Sequence, residues 1–325
     1  MPQKRIFRPI IPLKQASRAP EEAASVAAIL NIVAVYIFFT FLDTSGKYLV
    51  LAGFAPLFLS FVRFFGHVVV VGFLFRGWRN PRRFLPAQLW MHVLRGIFLF
   101  GSTLFNFLAL ETLQLAETTS IYFFGPMVIT ALAGPLLGEW AGWRRWSAIL
   151  AGFVGVLVIT RPGVGVFAIG HLLALGSMLS NSFYVIMTRR MSSSETAESL
   201  VLFSALVPAV LLLPTLPSTA SLPADGFQWL ILLSLGVYGA IGHWFVVRAY
   251  KLAPASALAP YPYLQMIWMI IAGYLVFDQL PDRWTIAGAA IIVASGLYIV
   301  HREHRLRLAA SSMLNAEDEA LAKKL

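Results

Sequence analysis

Apolar residues in this chain come in long blocks separated by short polar turns, and the blocks recur along its whole length. Ten of them suit membrane-crossing helices, which need about 20 predominantly apolar residues at a rise of about 1.5 Å each. They cover approximately 27–44, 52–75, 87–110, 113–137, 143–160, 167–187, 200–213, 227–247, 255–277 and 284–300. The seventh is interrupted at Pro208 and closed by Pro214. Strict in/out alternation is absent and the runs are too long for barrel strands. The pattern predicts an all-α integral membrane protein with ten transmembrane helices. The first block is too long for a secretory leader and leads into Asp43-Thr44-Ser45-Gly46-Lys47 instead of a small-residue cleavage site, so it reads as a retained helix.

Composition agrees. Of the 325 residues 58% are hydrophobic and 12% charged, with a mean hydropathy of +0.75, more oil than one water-soluble core can hide. The net charge of +10 raises the question of nucleic acid, but the placement of the charges answers it. In a ten-span model 20 of the 25 basic residues fall on one side, in the tails and after even-numbered spans. Lys47, Arg161 and Arg283 fall on the other side, and Arg63 and Arg95 lie within spans. The positive-inside rule then puts both termini in the cytoplasm and the protein, multi-pass, in the cell inner membrane. No nucleic-acid partner is expected. Cysteine is absent, so no disulfide or thiolate metal site can form, and no cofactor is expected.

The blocks fall into two sets of five. Residues 107–159, read with an offset of about 140, fall on 247–299: Ala109 meets Ala249 and, after a one-residue gap, Trp143 meets Trp284 and Gly155 meets Gly296. The division is a basic tail (1–26), a first repeat (27–160), a second repeat (161–301) and a C-terminal tail (302–325). Five is odd, so the second repeat must sit upside down relative to the first. Inverted repeats are a transporter architecture, with the substrate site between them near the membrane midplane. The fourth helix of each set carries proline, as Gly125-Pro126 and Pro260-Tyr261-Pro262. Such interruptions mark either a binding site or a packing kink. Small residues at Ala148-xxx-Gly152, Ala151-xxx-Gly155 and Ala290-xxx-Ala294 predict close helix approach, within a protomer or between two.

One stretch is distinctive. Arg95-Gly96, Leu108-Ala109-Leu110, Thr118-Thr119-Ser120, Gly125-Pro126, Leu137-Gly138-Glu139 and the helix from Trp143 through Gly152 and Gly155 together resemble the EamA domain of the drug/metabolite transporter superfamily. The region from Arg248-Ala249-Tyr250 to Val300 resembles a second, more diverged copy. The resemblance implies two inverted five-helix halves around a central cavity, alternating access, and substrates such as amino acids, nucleoside-like compounds or vitamins. Asp43-xxx-Lys47-Tyr48 with Arg63 is similar to the branch containing riboflavin and S-adenosylmethionine importers. Where the second copy should read Gly-Glu it has Asp278-Gln279.

Ionisable groups inside a span cost about 2.5–3.5 kcal/mol near the centre and ask for a reason. Arg63 and Arg95 either bind an anionic substrate group or serve as ion pairs and snorkelling side chains that fix packing. Asp43 either pairs with Lys47 one turn on or faces Arg63. Glu117 either carries a proton in exchange or caps its helix, and Asp43 and His243 are the other proton-coupling candidates. Asn106, Tyr122, Asn181, Tyr261, Tyr263 and Gln265 are the polar and aromatic groups expected to contact substrate, the Tyr261-x-Tyr263-x-Gln265 cluster foremost. No metal, phosphate-loop or nucleophile-elbow motif occurs. The expectation is a non-enzymatic secondary transporter of a small metabolite, surrounded by membrane lipid, proton-coupled, and a monomer or homodimer. A membrane scaffold or intramembrane enzyme is the alternative.

Overall fold

The structure, a computed structural model, describes residues 25–74, 81–138, 140, 142–162, 168–191, 194–253, 258 and 261–322. Its helices are α1 (Val26–Leu51), α2 (Pro56–Leu74), α3 (Leu89–Leu110), α4 (Leu115–Tyr122), α5 (Gly125–Leu137), α6 (Trp143–Thr160), α7 (Ile169–Met191), α8 (Ala197–Leu212), α9 (Leu216–Thr219), α10 (Gly226–Leu252), α11 (Gln265–Phe277) and α12 (Arg283–Ala322). Among the described residues nine segments are long and apolar enough to cross a membrane, and the shorter apolar segment Tyr261–Phe277 makes a tenth. The basic segment 1–24, Glu139 and Pro260 lie outside the described residues.

Polarity is arranged inside out. Arg63, His67, Arg95, Ser102 and Ser177 are buried, whereas Phe153, Leu233 and Leu275 are exposed on the outer surface. That is the economy of a protein whose solvent is hydrocarbon, where polar side chains gain by facing one another.

Two expected boundaries move. α1 does not stop near Thr44 but runs to Leu51, because Asp43 and Lys47 find partners on α3 and in two turns and the backbone ladder continues past them. Gly53, at φ 91°, then turns the chain toward α2 in a conformation that costs glycine little. α8 passes through Pro208 without ending, and with Leu213–Thr215 and α9 the seventh span reaches Thr219.

Both proline-bearing spans are irregular. α4 stops at Tyr122, and α5 restarts at Gly125 with Pro126 in its first turn, where no amide hydrogen is required. In the ninth span a 3-10 turn, Tyr261–Leu264, carries Pro262 and leads into α11.

Packing shows the internal symmetry. Let the spans be α1, α2, α3, α4–α5, α6, α7, α8, α10, Tyr261–Phe277 and α12, numbered one to ten. Span one packs on eight and three on six; two packs on eight and three on seven. Exchanging each span with the one five places away turns these pairs into one another. The pairs two–seven, four–nine and five–ten, also in contact, map onto themselves. A two-fold relation between halves threaded in opposite senses produces this pattern. At the five–ten crossing Gly155 meets Gly288 so closely that a Cβ on Gly155 would lie 2.8 Å from the Gly288 carbonyl oxygen. Ala148, Gly152 and Gly155 are buried, Gly152 against Met127 of α5, but Ala151, Ala290 and Ala294 face outward; the buried face of α12 includes Gly288, Ile292, Ser295 and Gly296 instead.

Polar contacts join the halves at both ends. At the end where α1 stops, Lys47 Nζ donates to the Leu113 carbonyl at 2.7 Å and to Gln279 Oε1 at 2.8 Å, and Arg161 pairs with Asp282 at 2.7 Å. At the other end Glu195 accepts hydrogen bonds from the Ala87 and Gln88 amides, both at 2.9 Å, and contacts His92 Nε2 at 3.2 Å.

Candidate functional site

Three helices each turn a polar strip inward. α3 presents Ser102, Thr103 and Asn106, α7 presents Ser177, Asn181 and Tyr184, and α1 presents Tyr36 and Asp43. The spacings of three, four and seven put each set on one helical face. Between them lies a cavity of about 380 Å³, closed by Arg63 of α2, Thr118, Thr119 and Tyr122 of α4, Pro126 of α5, His243 of α10, and Pro262, Tyr263 and Gln265 of the ninth span. Both irregular spans therefore reach it, and they touch there: the Phe123 and Tyr263 rings meet edge to face at 5.2 Å.

Asp43 lies ~12 Å along α1 from Leu51, and Arg63 ~10 Å along α2 from Pro56, by helical rise. Both depths approach the middle of a hydrocarbon layer about 30 Å thick. Asn106 Nδ2 donates to Asp43 Oδ1 at 3.0 Å. Arg63 Nη1 donates to Thr103 Oγ1, and its guanidinium sits 4.8 Å from the Phe64 ring. Its Nε is buried without a hydrogen-bond partner, as is Nε2 of His67. The His67 and His243 rings are 5.4 Å apart. Ser177 Oγ donates to the Ser102 carbonyl at 2.7 Å, pinning α7 to α3 across the halves.

Eight of the eleven residues singled out from the sequence line this cavity: Asp43, Arg63, Asn106, Tyr122, Asn181, His243, Tyr263 and Gln265. Three do not. Arg95, 1% exposed, donates to Thr188 Oγ1 at 3.0 Å and to the Leu200 carbonyl, so it ties α3 to α7 and α8. Glu117 folds back to accept from the Gln114 amide at 2.8 Å, which caps the start of α4. Tyr261 packs beside Ile32, Val35 and Ala249, away from its neighbour Tyr263. Asp43 and Lys47 do not pair either; Asp43 is held by Asn106 of α3, and Lys47 by Leu113 and Gln279 in two turns. Asp278 ends α11 in the left-handed conformation, at φ 53°. Thr103 and Phe39 were missed, although Thr103 completes the polar strip of α3 and its spacing from Asn106 was readable.

A hollow near mid-membrane between inverted five-helix halves, with a few polar groups in a mainly apolar wall, is the build of a secondary transporter. The model of the EamA-like transporter family matches residues 26–161 and, a second time, 168–301. The chain belongs to that family. It is 31% identical over 266 residues to the S-adenosylmethionine uptake transporter of Rickettsia felis, covering 81% of this chain and 88% of that one. With the riboflavin transporter of Vibrio cholerae it shares 30% identity over 232 residues, 70% of this chain and 72% of the relative. A crystal structure at 20% identity superposes with a TM-score of 0.57 over 84% of this chain and 98% of its own length, which shows a shared fold.

Proposed function

We propose that this transporter moves a small metabolite with a flat heteroaromatic ring and a polar arm across the cell inner membrane, by rocking its two halves around the cavity. The observation that carries the reading is the cavity itself: mid-membrane, bounded by both irregular spans, and walled by the rings of Tyr36, Tyr122, Tyr184 and Tyr263 beside amide and hydroxyl groups. A volume of about 380 Å³ falls in the range of small-molecule sites. S-adenosylmethionine and riboflavin, the compounds after which relatives are named, both combine such a ring with such an arm.

Asp43, a carboxylate lining the cavity, is the group that exchanges a proton during the transport cycle, and His243, also in the cavity wall, is the relay. Glu117, committed to its helix cap, suits this less. Both tails lie on the cytoplasmic side, as the basic residues require. One chain encloses the site, so a single protomer suffices for transport. The chain is a transporter and not an enzyme on this reading, which the names of its relatives support.

Purified protein in liposomes, given labelled S-adenosylmethionine or riboflavin with and without a pH gradient, tests the proposal. Saturable uptake of one compound, abolished in Tyr122→Ala and Tyr263→Ala at equal protein content, is expected. Uptake of both no greater than in protein-free vesicles would defeat it.

A further inference from the structure

Asp43 and Arg63 face one cavity with opposite charge, yet among the described residues no ion pair joins them. Each is engaged by an uncharged side chain of α3, Asn106 donating to the carboxylate and Thr103 accepting from the guanidinium. Those two partners stand three residues apart, neighbours on one face of α3 with Cβ atoms roughly 5–6 Å from each other. Arg63 is 8% exposed, and its Nε has no partner at all. Buried charges normally collapse onto each other, because leaving one uncompensated is costly. Here the fold ties a cation and an anion that line one cavity to uncharged side chains of α3 instead of to each other.

We infer that this part of the cavity is the seat of a zwitterionic head, an ammonium beside a carboxylate as in a 2-amino acid, with its carboxylate on Arg63 and its ammonium on Asp43. Charge-assisted hydrogen bonds of about 2.7–2.9 Å on either side let so small a head bridge the two residues. The aromatic body of the same compound then lies against Tyr122 and Tyr263. This deepens the transport reading and rests on it. It also divides the relatives' compounds: S-adenosylmethionine carries such a head, whereas riboflavin has none and would leave both charges unanswered. A site built to bond a group discriminates strongly against ligands that lack it, because its own polar atoms are stranded.

Binding to the full-length protein in lipid nanodiscs reads this directly. The probes form two matched series. The first is S-adenosylmethionine, its decarboxylated form and 5′-methylthioadenosine; the second is tryptophan, tryptamine and indole-3-propanoate; riboflavin is the neutral comparison. In at least one series the zwitterion should bind about 100-fold more tightly than the forms lacking either charge. Asp43→Asn should erase the preference for a ligand amine and keep that for a carboxylate. Arg63→Gln should do the reverse, and Arg63→Lys should restore part of it. Should a variant fail to fold, the two ligand series on the unaltered protein decide. Riboflavin binding and uptake with no preference for zwitterions would overturn the inference and leave the transport reading standing. Absence of binding by every probe would overturn both.

Discussion

Opening the cavity at the end of the molecule where α1 stops requires one buried hydrogen bond between the halves to break. Lys47 belongs to the first half, as does its acceptor Leu113, but its other acceptor, Gln279 at 2.8 Å, belongs to the second. The lysine is 2% exposed, so water cannot fully replace the bond while that end is closed. A hydrogen bond to a charged group contributes about 1.5–3 kcal/mol. Because Gln279 is itself partly exposed, the lower figure applies. Gln279→Leu should therefore favour the open form by about 1.5 kcal/mol, roughly tenfold in population. Gln279→Glu, which supplies a full negative charge, should shift it the other way. The chain contains no cysteine, so a single Thr119→Cys in the cavity wall can report access from that end. Its alkylation by a membrane-impermeant maleimide should proceed about tenfold faster with Leu at position 279 and more slowly with Glu. Equal rates in all three backgrounds would refute the assignment of Lys47 and Gln279 as a closure contact.

Three further outcomes follow from the packing. Arg95→Met should lower the thermal midpoint, since two buried charge-assisted bonds worth about 1.5–3 kcal/mol each are lost, while changing ligand affinity less than about threefold; a large affinity loss at unchanged stability would return Arg95 to the binding site. Gly155→Val should separate α6 from α12 and cost at least the 1–3 kcal/mol typical of overpacking, read as a lower unfolding midpoint in detergent; an unchanged midpoint would contradict the Gly155–Gly288 contact. At Glu195 burial pushes the carboxyl up, but hydrogen bonds from the Ala87 and Gln88 amides and from His92 outweigh it and hold the group below its usual 4.5. A depressed carboxylate stabilises the fold above its unfolded value and loses that contribution as pH falls through the folded one. The contribution of Glu195 should thus hold from pH 7 to about 5 and be lost below about 4.5, and Glu195→Gln should remove that part of the acid drop; the same profile below pH 4.5 in the variant would rule Glu195 out as its source.

The ten spans were legible because a bilayer imposes its thickness on the sequence, and the inverted halves because five crossings reverse a chain. The prolines at 126 and 262 marked the irregular spans for the same local reason: a missing amide hydrogen shows in the sequence. What was not legible depended on the neighbour across the way. Arg63 and Arg95 look alike in hydropathy, yet Thr188 and the Leu200 carbonyl absorb one and a cavity receives the other. Tyr261 and Tyr263 are two residues apart, and the 3-10 turn between them sends them to different sides. The spacing of Asp43 and Lys47 allowed an intrahelical pair, but both found better-placed partners on other elements. For Glu117 the sequence left proton exchange and helix capping open, and its bond to the Gln114 amide is the capping arrangement.

The central claim is that substrate sits between the two halves at mid-membrane, and a structure of the protein with a transported compound bound tests it most directly. The account predicts ligand density in the hollow between α1, α3, α7 and the ninth span, touching Asp43, Arg63 and Tyr263. Density on the outer surface or at a helix end, with that hollow unchanged, would contradict it.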